Sequence, residues 1–97
     1  MNKNGEENKA ITREFKIINR LGIHARPAAL FAKTALRFNS DIQVEKNNNK
    51  VSGKSIMGLM TLEACYGSKV KVTAKGADAE ETLNELERLI KNKFDED

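Results

Sequence analysis

The chain's only histidine, His24, lies in the string Gly22-Ile23-His24-Ala25-Arg26-Pro27, with an arginine two residues beyond it. After His24 the composition turns to Ala, Leu and Phe, which places the imidazole at the start of a helix. Free first-turn amides and the positive end of the helix dipole attract an anion there, and the Arg26 guanidinium adds a planar fork for two phosphoryl oxygens. Gly22, Ala25 and Pro27 complete a phosphate cradle, in which Pro27 gives up one donor but fixes the turn. A neutral imidazole keeps the lone pair needed to attack phosphorus, and a P–N bond to it stays transferable. The helix end and Arg26 would then share a charge of roughly −2. Taken singly, each residue has a plainer reading: a polar cap for His24, a solvated charge for Arg26, a turn for Gly22.

Ser55 is the second point of chemistry. It precedes Ile56, Met57, Leu59 and Met60, so its hydroxyl can cap a short helix that Gly58 weakens without forbidding. Those apolar residues would ordinarily be core. Two adaptable Met side chains beside a reactive histidine also suit a docking patch, for which Arg20, Lys54, Ile56, Met57 and Met60 are the expected contact residues, with Lys33 extending the basic rim.

The elements that must position these residues are legible from periodicity. Ile11, Phe15 and Ile17 alternate with Thr12, Glu14 and Lys16, a half-buried strand ending near Ile18. A helix follows, with Leu30, Phe31, Thr34, Ala35 and Phe38 as its inward stripe, stopping between Arg37 and Asn39. Ile42 and Val44, the cluster Asn47, Asn48 and Asn49, and the run Lys50 to Ser52 make a hairpin. Val70, Val72 and Ala74 turn inward from Lys69, Lys71, Thr73 and Lys75 in the clearest strand. Asp78 and Glu81 form a D-x-x-E capping signal for a last helix with the stripe Leu83, Leu86, Leu89 and Ile90, running to about Phe94. The order βαββαβα predicts an α+β fold, an open-faced β-sandwich with three helices on one face of a four-stranded antiparallel sheet.

Ninety-seven residues hold one domain. Residues 1–10 are polar and aperiodic and read as a flexible N-terminal extension, leaving 11–97 as the folded unit. Residues 11–76 carry twelve Lys and Arg against four Asp and Glu, a surplus of eight that favours acidic partners. One Cys and one His cannot supply an ordinary zinc site, and no hydrolase, P-loop or dinucleotide signature occurs. No cofactor is called for. Cys65 reads as a buried or half-buried small apolar residue, and the lack of a long apolar run argues for a cytoplasmic protein without membrane insertion.

The string Leu21-Gly22-Ile23-His24-Ala25-Arg26-Pro27-Ala28, with Lys54-Ser55-Ile56-Met57-Gly58-Leu59-Met60 placed so that Ser55 follows the histidine by 31 residues, resembles the HPr family of histidine-containing phosphocarriers of the bacterial sugar phosphotransferase system. The resemblance covers about residues 10 to 94. It implies that His24 accepts a phosphoryl group on its δ nitrogen from enzyme I, charged by phosphoenolpyruvate, and passes it to IIA domains of sugar permeases. It makes Arg26 the stabilising arginine and Ser55 the target of an HPr kinase/phosphorylase, with a transcriptional regulator as a further partner. The protein is then a monomeric carrier and not a complete catalyst. Arg20 and Gly53 stand where the family often has other residues. A purely regulatory module acting through Ser55 is one alternative. A small RNA-binding domain is another, weakened by 5% aromatic content and the absence of RNP1 and GXXG motifs.

Overall fold

Alternation of apolar and polar side chains produces the sheet. In a computed structural model of the chain, which describes residues 9–96, four strands, β1 (Ala10–Lys16), β2 (Asp41–Lys46), β3 (Asn49–Ser52) and β4 (Lys69–Lys75), form one antiparallel sheet. Their order is β1-β4-β2-β3, with Phe15 opposite Val70 and Val44 opposite Val72. Phe15, Ile42, Val44, Val70, Val72 and Ala74 are buried on one face. Thr12, Glu14, Lys16, Lys69, Lys71 and Lys75 are exposed on the other, which offers no ring for a nucleobase to stack on. Asn47 and Asn48, at φ 51° and 71°, supply the left-handed pair that a two-residue hairpin needs.

Three helices, α1 (Ala25–Ala35), α2 (Ile56–Thr61) and α3 (Ala79–Lys91), share one core with the apolar face of the sheet, giving the expected open-faced α+β sandwich. α1 is turned relative to the expected stripe. Ala28, Phe31, Ala32 and Ala35 are buried, whereas Leu30, Thr34 and Phe38 are only half-buried, because the three small Ala side chains allow a closer approach than a Leu-centred face. Gly53, before Lys54, is needed for packing: a Cβ there would run into the side chain of Ile42.

Strand β1 begins one residue before the expected boundary. The Lys9 carbonyl already accepts the Gly76 amide at 2.8 Å, so the folded unit includes the last two residues of the segment read as an extension, and residues 1–8 lie outside the described residues. Cys65 is exposed, against expectation. Its neighbour Ala64 takes the buried position within the α2–β4 connection, leaving the thiol on the turn beside Ser68.

Ser55 caps α2 as its position suggests, its Oγ accepting the Gly58 amide at 2.9 Å. Gly58 preserves that geometry, since a Cβ there would stand 3.1 Å from both Ser55 Oγ and Val51 Cβ. Ser55→Ala should lower the unfolding free energy by about 1 kcal/mol, checked as a shift of the urea midpoint.

Asp78 does not form the expected capping box, and its side chain makes no cap hydrogen bond to α3. Its carboxylate instead accepts the amides of Asn39 (2.8 Å) and Ser40 (2.9 Å) and the Ser40 hydroxyl, tying the start of α3 to the α1–β2 connection. Burial works against ionisation of Asp78, but these donors outweigh it and hold the carboxyl below the usual range. A depressed folded-state pKa stabilises the fold above the unfolded-state value and loses that effect as pH falls through the folded-state one. The stability gap between the native chain and Asp78→Asn should therefore be full near neutrality and shrink as urea midpoints are taken below about pH 4.

The last helix stops at Lys91 rather than near Phe94. Lys93, Phe94 and Asp95 follow with φ of 56°, 53° and 60°, a single left-handed turn made without glycine. Such a turn costs on the order of 1–2 kcal/mol per residue. It is held by the Phe94 ring, which is fully buried in the common core.

Candidate functional site

The loop between β1 and α1 is strapped to the connection between α2 and β4. The Ile17 amide donates to Ser68 O and the Ile23 amide to Ala64 O, both at 2.8 Å, and the Gly67 amide donates back to Ile17 O. Gly22 passes under that connection at φ +70°, where a Cβ would lie 2.5 Å from Ala64 O and 2.6 Å from Cys65 Cα, so only glycine fits. The chain then extends at His24 (φ −97°, ψ −166°), whose carbonyl accepts the Ala28 amide at 2.9 Å and opens α1.

This geometry presents the imidazole at the helix N-terminus with 38% of its side chain exposed and no capping bond spent on the helix. Among the described residues, the amides of Ala25 and Arg26 have no backbone acceptor, so they remain available to an anion. Gly22 and Pro27, expected in the phosphate cradle, have no free amide to offer an anion. The Gly22 amide is taken by Asn19 O, and Pro27 is buried without an N–H. Arg26 is exposed and, with Arg20, Leu21, Asp95 and Glu96, lines a shallow cleft of about 350 Å³ beside the histidine.

Two residues at this site carry no signal in the sequence. Glu96 reaches His24 from beyond the left-handed turn, with Oε2 2.8 Å from Nε2. Asn19, fully buried, donates its amide to Gly22 O at 2.7 Å and to Glu96 Oε1 at 2.9 Å. Two acceptors face that amide, so its orientation is fixed; the reverse would set Oδ1 against a carbonyl and a carboxylate. The cost, among the described residues, is one buried oxygen, Asn19 Oδ1, without a partner. The Asn19 amide, against the opposing effect of burial, and then His24 and Arg26 hold the Glu96 carboxyl below its ordinary range.

Of the expected docking residues, Ile56, Met57 and Met60 are exposed by 44%, 76% and 40%, while Leu59 from the same helix is buried. Leu21, 70% exposed in the loop before His24, is a further large apolar side chain at the surface and was not anticipated; an aliphatic residue in a polar loop is its one sequence signal. Lys54 is half-buried, its ammonium donating to Phe38 O at 3.0 Å, so its charge ties down the α1–β2 connection more than it extends the rim. Among the described residues no cluster could hold a metal ion, and no helix is long and apolar enough to cross a membrane.

Comparison with known proteins matches residues 11–92 to the family model described as the PTS HPr component phosphorylation site. The chain is 40% identical over 87 residues to the phosphocarrier protein HPr of Treponema pallidum (strain Nichols), covering 90% of this chain and 99% of that one. It is 48% identical over 69 residues to the HPr-like protein Crh of Bacillus subtilis (strain 168), covering 71% and 81%. The crystal structure of HPr-C-His from Thermoanaerobacter tengcongensis superimposes with a TM-score of 0.83 at 50% identity, covering 92% of this chain and 98% of that one.

Proposed function

The chain belongs to the HPr family, phosphocarriers of the phosphotransferase system that relay a phosphoryl group without being complete catalysts, and we propose that His24 is its phosphorylated residue. In this reading, His24 Nδ1 takes the phosphoryl group from phosphorylated enzyme I and yields it to IIA domains of sugar permeases in the cytoplasm. The observation that carries the reading is the half-exposed imidazole at the start of α1 beside the unpartnered amides of Ala25 and Arg26. Those donors, the helix dipole and the Arg26 guanidinium can share the arriving charge, while Gly22 and Pro27 fix the backbone that presents them.

Docking follows from the same surface. Exposed Ile56, Met57 and Met60 on α2 and exposed Leu21 in the loop before His24 offer adaptable apolar contacts, and Arg20 and Arg26, which share a cleft with Leu21, suit an acidic partner face. Ser55 is the proposed regulatory phosphorylation site, acted on by an HPr kinase/phosphorylase. A phosphate there would add charge next to Ile56 and Met57 and alter docking. Likeness to Crh, the Bacillus subtilis catabolite repression HPr, favours a second reading, in which control through Ser55 and a transcriptional regulator is the whole function.

Incubation with phosphoenolpyruvate and enzyme I decides between them. The carrier reading expects one acid-labile phosphoryl group per chain that moves on to a IIA domain. An acid-stable label on Ser55 alone, obtained with a serine kinase and ATP while enzyme I transfers nothing, would overturn it.

A further inference from the structure

We propose that Glu96, held by Asn19, is a positioning residue for phosphoryl transfer: it fixes the proton of the neutral His24 ring on Nε2 and so leaves Nδ1 as the nucleophile. The inference rests on the carrier reading above.

A carboxylate can only accept a hydrogen bond. With Glu96 Oε2 2.8 Å from His24 Nε2, the neutral ring must therefore carry its hydrogen on Nε2, and the lone pair lies on Nδ1. Among the described residues Nδ1 makes no hydrogen bond. Glu96 is itself anchored, since Oε1 accepts from the Asn19 amide, and that amide is fixed by Gly22 O in the loop that presents the histidine. The lowered pKa of the Glu96 carboxyl agrees with an ionised acceptor. Packing supplies the rest, because the left-handed turn at Lys93–Asp95 and the buried Phe94 ring return the chain to this point.

During transfer the Nδ1 lone pair forms the new N–P bond, and the bond from phosphorus to the donor breaks, its electron pair leaving with the donor. The proton stays on Nε2, so the ring becomes a phosphorylated imidazolium. Its positive charge develops against Glu96, and the hydrogen bond strengthens where the reaction needs it.

Glu96→Ala and Glu96→Gln separate this role from a simple surface contact. Alanine releases the ring to either tautomer. Glutamine does more: its carbonyl must meet the Asn19 amide, so its own NH2 faces Nε2 and calls for a lone pair there, moving the proton to Nδ1. Nitrogen-15 NMR of His24 at a pH where the ring is neutral should show hydrogen on Nε2 in the native chain, a mixture in Glu96→Ala and hydrogen on Nδ1 in Glu96→Gln. Transfer from phosphorylated enzyme I should slow about tenfold in Glu96→Ala and further in Glu96→Gln. A native ring protonated on Nδ1, tautomers unchanged by both substitutions, or a Glu96→Gln chain that transfers as fast as the native one would overturn the proposal. Failure of the native chain itself to accept phosphate would instead sink the carrier reading, while the NMR result would still report the Asn19–Glu96–His24 geometry.

Discussion

His24→Ala should abolish phosphoryl uptake from phosphorylated enzyme I while leaving the urea midpoint close to native. No other imidazole exists in the chain, so nothing can substitute as nitrogen nucleophile. The expected stability change is below about 1 kcal/mol. The ring is 38% exposed, it makes no cap bond, and its hydrogen bond is to Glu96. Radiolabelled phosphoenolpyruvate with enzyme I reads the first quantity, and denaturation followed by circular dichroism reads the second. Residual acid-labile label in the variant would place the phosphoryl group elsewhere. A loss of several kcal/mol would mean that the imidazole supports the fold.

Phe94→Ala should bring the largest loss of stability among the substitutions considered, about 3 kcal/mol. A buried Phe→Ala change costs about 3–5 kcal/mol through lost transfer energy and the cavity left behind. The lower end applies because the left-handed turn at Lys93–Asp95 can relax once the ring no longer holds it, returning part of its strain. Urea midpoints at a common slope measure the loss, and a change under about 1 kcal/mol would contradict the packing of Phe94. Release of the same segment also withdraws Glu96 from His24, so the variant should acquire the tautomer mixture expected of Glu96→Ala.

Legibility of the sequence followed the range of the forces involved. β1 and β4 could be read because one face of the sheet is wet, which imposes alternation on Lys69 to Lys75 and, apart from Arg13, whose guanidinium reaches Asn84 and Glu87 of α3, on Ile11 to Ile17. The Asn47–Asn48 turn and the Ser55 cap were legible because each is satisfied within three or four residues. Asp78 misled, since the local capping partner lost to the Asn39 and Ser40 amides that the tertiary fold brings alongside. The inward face of α1 depended on how closely three Ala residues let it approach, which spacing cannot reveal.

At the site, His24, Arg26 and Gly22 lie within one short string, so their juxtaposition follows from a single turn. Asn19 and Glu96 are 77 residues apart and meet only because Phe94 is drawn into the core. Nothing in the string Lys93-Phe94-Asp95 advertises a left-handed backbone, since none of the three is glycine.

The strand order has a consequence for biosynthesis. β4 is translated last among the strands yet lies between β1 and the β2–β3 hairpin, so the nascent chain lacks the strand that joins its two halves until Lys69–Lys75 clears the ribosome. Phe15, Ile42 and Val44 stay without their β4 neighbours throughout that interval, a window in which a chaperone that holds extended apolar segments would find its substrate.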